Sequence, residues 1–129
     1  MSIIDHAGFA VSDYDRSLAF YREALGTLGI KVLSDMTFGL DRVGGFGKDR
    51  PEFWISSGRP LLGETHVAFV ATSHAEVQAF YSVATSMGGR DNGAPGIRAQ
   101  YHPNYYAAYV FDPDGNNIEA VCYRPEVTS

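Results

Sequence analysis

Apolar and polar positions along the chain change period at regular intervals, and the period assigns the elements. Residues 3–11 are short, apolar and bounded by the polar turn Ser12-Asp13-Tyr14-Asp15, which reads as a strand feeding a helix N-terminus. Tyr14, Leu18, Tyr21, Leu25 and Leu28 then recur at helical spacing, predicting a helix over 14–25 that Gly26 and Gly29 close. Strands are expected over 30–35, 37–43 and 52–57, with a Gly-rich loop from Arg42 to Pro51 and a linker from Ser57 to Gly63. The second half opens with a strand over 64–72. Ser73-His74-Ala75-Glu76 has the spacing of a capping box, and Val77, Phe80, Tyr81, Ala84 and Met87 make the apolar face of a helix over 74–87 that Gly88-Gly89 ends. Asp91 to Gly96 reads as loop, 97–101 as a short strand, 105–111 as a strand, Pro113-Asp114-Gly115 as a turn, and 116–123 as the last strand.

This order repeats. Asp5-His6-Ala7-Gly8-Phe9-Ala10-Val11 lines up with Thr65-His66-Val67-Ala68-Phe69-Val70-Ala71, sixty positions on. Ala19-Phe20-Tyr21 falls on Ala79-Phe80-Tyr81 without a gap. The module ends align with a shift of 65, which sets Trp54 opposite Glu119. Two modules, about 1–58 and 64–124, therefore make one domain of strand–helix–strand–strand–strand units that bury their apolar faces against each other. The fold class expected is α+β, two tandem βαβββ modules forming a curled mixed-sheet cup with the helices outside.

Composition narrows the function. The 129 residues are 45% hydrophobic and 19% charged, which suits one globular domain with a real core. The formal net charge is -5 and the basic residues form no run, so no nucleic-acid partner is expected. Cys122 is the single cysteine, which excludes an internal disulfide and makes a reduced, cytoplasmic setting the expectation. No stretch approaches a membrane span, and the N-terminus lacks the pattern of a signal peptide.

Strand parity gathers the candidate chemistry. His6 shares a face with Gly8 and Ala10, His66 with Ala68 and Val70, and Glu119 with Asn117 and Val121. A carboxylate in the middle of an apolar strand is costly to bury alone. Two imidazoles and a carboxylate on facing sheets would form a metal site with open positions for water or substrate. The other reading of each histidine is an ordinary half-buried side chain.

Several further segments bear on a site. Trp54 is a packing residue or a substrate platform. The stretch Gly96–Tyr106 concentrates aromatic, imidazole, amide and guanidinium groups beside a strand. There His102 is a candidate general acid–base, Tyr101 and Tyr105 are candidate hydrogen-bonding groups for a substrate oxygen, and Arg98 is a candidate carboxylate partner. Otherwise these residues make a surface loop pinned by Pro103. His74 reads as a solvated first-turn residue and Cys122 as buried packing. Gly44-Gly45-Phe46-Gly47-Lys48-Asp49 lacks the spacing of a phosphate loop and reads as a lid or flexible hairpin over a pocket.

The segments His6 with Phe9, Ser17-Leu18-Ala19-Phe20-Tyr21, Thr65-His66-Val67-Ala68-Phe69 and Phe111-Asp112-Pro113-Asp114-Gly115-Asn116-Asn117-Ile118-Glu119 together resemble the vicinal oxygen chelate superfamily, which includes glyoxalase I, bleomycin-resistance proteins and type I extradiol dioxygenases. The resemblance covers essentially the whole chain. It implies paired βαβββ modules curled around a divalent metal, with ligand positions that fall on His6, Trp54, His66 and Glu119. Trp54 departs from the glyoxalase I pattern, which has a carboxylate there that takes part in proton transfer. The remaining two-His-one-Glu set is similar to that of extradiol dioxygenases, and the set alone does not choose among Fe, Zn, Mn and Ni. The resemblance further implies a homodimer and a small-molecule substrate. The leading expectation is a metal-dependent lyase, isomerase or ring-cleaving dioxygenase. The alternative is a metal-free sequestration protein whose cup is lined by Trp54, Tyr101, Tyr105, Tyr106 and Tyr109.

Overall fold

A computed structural model describes residues 3–60 and 65–126. Residues 1–2, 61–64 and 127–129 lie outside the described residues, and with them the last three positions of the expected linker. The elements run β1 (Ala7–Val11), α1 (Tyr14–Gly26), β2 (Lys31–Phe38), β3 (Asp41–Gly47), β4 (Pro51–Ser57), β5 (His66–Val70), α2 (His74–Ser86), β6 (Arg90–Ile97), β7 (Tyr106–Phe111) and β8 (Asn117–Cys122). They form two four-stranded sheets, ordered β1-β4-β3-β2 and β5-β8-β7-β6. In each sheet the first strand pairs parallel with the last and the other pairs are antiparallel. Two βαβββ modules with the same strand order result.

The helices form where capping chemistry precedes an apolar stripe. The Asp13 carboxylate accepts the Arg16 N–H at 3.2 Å, and the Ser73 hydroxyl accepts the Glu76 N–H at 3.1 Å. Glu76 reaches back to the Thr72 N–H at 2.7 Å, one residue before the cap. Helix α1 ends at Gly26, and the turn after it closes at Gly29, whose φ of +78° places it in the left-handed region that a glycine enters without strain.

One core takes the helix-facing sides of both sheets. Phe53 of β4 is in edge contact with Phe9, Tyr21 and Phe69, with ring centroids 5.4, 5.1 and 5.1 Å away, so the modules meet ring to ring. Such aromatic pairs contribute about 0.5–1.5 kcal/mol each beyond the area they bury. A polar pin crosses the same boundary. Asp112 is 2% exposed, and its carboxylate accepts the Tyr21 hydroxyl at 2.6 Å together with the N–H groups of Asp114, Asn116 and the Asn116 amide. Burial and the Asp112 charge push the Tyr21 phenol well above its ordinary pKa, so it remains a donor. At the other edge of this turn Asp114 accepts the Ser12 N–H at 3.1 Å, and the Ser12 hydroxyl as well.

Two expectations are corrected. The Gly-rich stretch from Arg42 is not a lid: it is strand β3, paired on both sides, up to Gly47. Its glycines make room for side chains that cross the strand. A Cβ on Gly44 would lie 2.7 Å from the Tyr14 hydroxyl, and one on Gly45 would lie 2.7 Å from the Trp54 ring. The stretch 91–96, expected as loop, belongs to β6, and 98–101 is turn rather than the end of a strand over 97–101. Strand β6 lies at the sheet edge with register shifts at Gly93 and Gly96, which is where a strand accommodates Pro95.

Candidate functional site

The strand registers place the candidate residues in two matching rows. In the first sheet Gly8, Trp54 and Gly45 are neighbours across β1, β4 and β3. In the second, Ala68, Glu119 and Tyr109 are neighbours across β5, β8 and β7. Trp54 and Glu119 therefore hold equivalent places, as the shifts of 60 and 65 require. Alternation puts both on the sheet faces turned away from the helices, since Phe53, Ile55, Ile118 and Ala120 are buried on the helix side.

Glu119 is the chemical centre of the second row. It is 1% exposed, and its Oε1 lies 2.8 Å from His66 Nε2. Its Oε2 accepts the Tyr105 hydroxyl. The buried carboxylate is thus held at both oxygens, which offsets the cost of taking it out of water. Burial first, and then the hydrogen bond to Glu119, push the Tyr105 phenol above its ordinary pKa. Tyr109 is raised by burial and by the Glu119 charge. His66 tilts towards Tyr109 with ring centroids 6.3 Å apart.

The first row is a different environment. Trp54 lies across Gly45, and a Cβ on Gly8 would meet the Trp54 backbone at 2.6 Å, so the indole rests on a floor without side chains. A pocket of about 420 Å³ sits here, lined by His6, Gly8, Ala10, Val43, Trp54 and Ser56. His6 stands just ahead of β1 with its side chain 61% exposed. Its Nδ1 is 2.8 Å from Asp5, which Arg50 clamps at 3.0 Å, leaving Nε2 as the ring nitrogen without that partner. The His6 hydrogen bond and the Arg50 charge lower the Asp5 pKa. His6 and His66 also border a common cleft of about 670 Å³.

The donor chemistry of His6, His66 and Glu119 fits a divalent ion of the first transition row. Two of these three side chains stand together. Among the described residues no three His, Cys, Asp or Glu side chains gather into a metal-binding group, so His6 does not join His66 and Glu119 within one chain.

The remaining candidates divide. Tyr105 and Tyr109 stand at Glu119. Tyr101 is 65% exposed and packs on Tyr105 with centroids 5.1 Å apart. His102 is exposed, accepts the Asn104 N–H through Nδ1 at 3.0 Å, and sets its ring against Tyr123. Arg98 donates to the carbonyls of Gly96 and Ala94 at 2.7 and 2.8 Å and lies over the Tyr109 ring, so much of its fork braces β6 and its following turn. Tyr106, expected in the cup, has the opposite parity: it stacks on His74 at 3.8 Å and accepts from Gln78 on α2. The pin formed by Tyr21 and Asp112, and the Tyr105 bond to Glu119, lie beyond what the sequence pattern indicates at first reading. A signal for the second exists, since Tyr105, Ala107 and Tyr109 share strand parity.

Comparison with known proteins agrees with this geometry. The family model described as the Glyoxalase/Bleomycin resistance protein/Dioxygenase superfamily matches residues 3–120. A glyoxalase/bleomycin resistance protein from Albidiferax ferrireducens T118 is 29% identical, with a TM-score of 0.78 over 96% of this chain and 100% of that one. Glyoxalase I from Zea mays shares the fold at 20% identity and a TM-score of 0.72, over 92% of this chain but 45% of its own. A lactoylglutathione lyase from Agrobacterium tumefaciens shares it at 20% identity and a TM-score of 0.67, covering 95% and 94%. No curated protein sequence matches the chain.

Proposed function

Because the chain belongs to the glyoxalase/bleomycin resistance protein/dioxygenase superfamily, we propose that it is a metal-dependent enzyme acting on a small oxygenated molecule. We propose further that it works as a homodimer, in which His66 and Glu119 of one copy and His6 of the other hold the ion. The observation that carries this reading is the buried Glu119 carboxylate paired with His66 on an open sheet face. An apolar strand interior gains nothing from a carboxylate unless that carboxylate has a function there. The second copy is invoked because the helix sides of both sheets are spent on the chain's own core, while His6 is exposed on the first sheet. The cup face of β5 is also open, with Val70 72% exposed.

The ion would supply Lewis-acid polarisation of two neighbouring substrate oxygens. The chain's own residues do the rest. Asp5 and Arg50 fix the His6 ring. Trp54 offers an apolar face to the substrate body. In the family ligand position it replaces a carboxylate, so proton transfer of the glyoxalase I kind would need another base. His102 is the candidate, with Tyr101 and Tyr109 as hydrogen-bonding groups and Arg98 as a bracing rather than a free cation.

The test is metal content of untagged protein purified without chelator, beside a His66→Ala variant. Near-stoichiometric Fe, Zn, Mn or Ni in the parent and its loss in the variant support the reading. Iron would point to ring cleavage with O₂, the others to lyase or isomerase chemistry. The metal-free sequestration reading is favoured by one observation, that both Glu119 oxygens already have partners. It wins if the parent takes up no ion on reconstitution.

A further inference from the structure

We propose that Tyr105 is a positioning residue: by occupying Oε2 of Glu119 it limits the carboxylate to offering one oxygen, Oε1, to the cup. A glutamate free at both oxygens rotates about its last torsion and takes a ligand through one oxygen or two. Here the rotation is blocked from one side. The Tyr105 hydroxyl donates to Oε2 while His66 Nε2 lies 2.8 Å from Oε1. A hydrogen bond to an ionised oxygen is about twice as strong as a neutral one.

Tyr105 is itself held from several sides. Its backbone carbonyl accepts the Arg98 N–H at 2.7 Å, and its N–H donates to the His102 carbonyl at 3.0 Å. Its ring packs between Tyr101 and Tyr123, each with a centroid distance of 5.1 Å. Tyr109 is the register neighbour of Glu119 on β7. The loop rich in aromatics, expected to touch substrate, thereby carries one phenol to one carboxylate oxygen.

The consequence for an ion rests on the metal reading above; the fixing of Glu119 does not. Ligation through Oε1 alone would leave more coordination positions for substrate oxygens. It also removes Glu119 Oε2 from any role as proton acceptor.

The experiment compares the parent with Tyr105→Phe, which keeps the ring and its packing, and with Tyr81→Phe on α2 as a control. In metal-free protein the ¹⁵N resonances of the His66 ring are recorded, and Co²⁺ and Mn²⁺ are then titrated into each protein. Loss of the phenol donor concentrates the Glu119 charge on its remaining partner. The His66 Nε2 signal is therefore expected to move in Tyr105→Phe and stay in Tyr81→Phe. Ion affinity is expected to fall about 10–100-fold, the usual cost of losing an outer-shell partner. A moved His66 signal with no ion bound by parent or variant keeps the positioning role and sinks the metal reading. A His66 signal unmoved in Tyr105→Phe overturns the proposal, whatever the ions do. A moved signal with unchanged ion affinity overturns the single-oxygen restriction.

Discussion

Tyr21→Phe isolates the polar pin between the modules. It removes one oxygen and leaves the ring contacts with Phe9, Phe20, Phe46 and Phe53 in place. The lost bond runs at 2.6 Å from a fully buried phenol to a carboxylate that is itself buried. Hydrogen bonds to charged groups contribute about 1.5–3 kcal/mol. Asp112 keeps its N–H donors from Asp114 and Asn116, so about 2 kcal/mol is expected. Unfolding entropy near the midpoint is about 0.27 kcal/mol per kelvin for a chain of 129 residues. The melting temperature should therefore fall by about 7 °C. Thermal unfolding by circular dichroism at one fixed protein concentration measures it, the concentration being held because self-association shifts the midpoint. Asp112→Ala should cost more, since it strands every donor of the turn. Adding Tyr21→Phe to it should then cost little, because the two changes act on one network. A fall of less than about 2 °C in Tyr21→Phe, or full additivity in the pair, would refute the pin.

Two further outcomes follow from the site. Gly45→Ala places a Cβ 2.7 Å from the Trp54 ring and must displace the indole. Trp54 is the only tryptophan, so its emission should change in wavelength and in quenching by added iodide; an unchanged spectrum contradicts the glycine floor. Burial holds the phenols of Tyr14, Tyr21, Tyr105 and Tyr109 above the ordinary value of 10.0. The unfolded chain releases these protons first, so the folded state binds more of them in alkali. Their contribution to stability is complete below pH about 10 and is lost as pH rises through the folded values. Tyrosinate absorbance should show part of the eight tyrosines ionising late, and simultaneous release of all eight near pH 10 in folded protein would contradict this.

The repeat is legible because it is written in strand parity. Gly8 beside Trp54 and Ala68 beside Glu119 are register pairs that the shifts of 60 and 65 already imply. Helices α1 and α2 are legible from their caps and apolar stripes. What the chain conceals lies where glycine serves space rather than turning. Gly44 and Gly45 look like a loop in one dimension and prove to be strand, because the side chains that need the room come from α1 and β4. The pairing of His66 with Glu119 follows from a shared face. The separation of His6 from them does not, because parity assigns faces within a sheet and says nothing of which faces meet. Asp112 falls between the strand expected over 105–111 and the turn Pro113-Asp114-Gly115. Its bond to Tyr21 spans 91 positions and leaves no local trace.

Mixed dimers test the central claim most directly. His6→Ala and His66→Ala proteins, each unable to complete a site alone, are unfolded together, refolded and reconstituted with Mn²⁺ or Zn²⁺. If His6 comes from one copy and His66 with Glu119 from the other, every mixed dimer holds one intact set, and ion uptake reappears at about half the parent level in the separated heterodimer. Heterodimers that take up no ion while the parent does would contradict a site built between two chains.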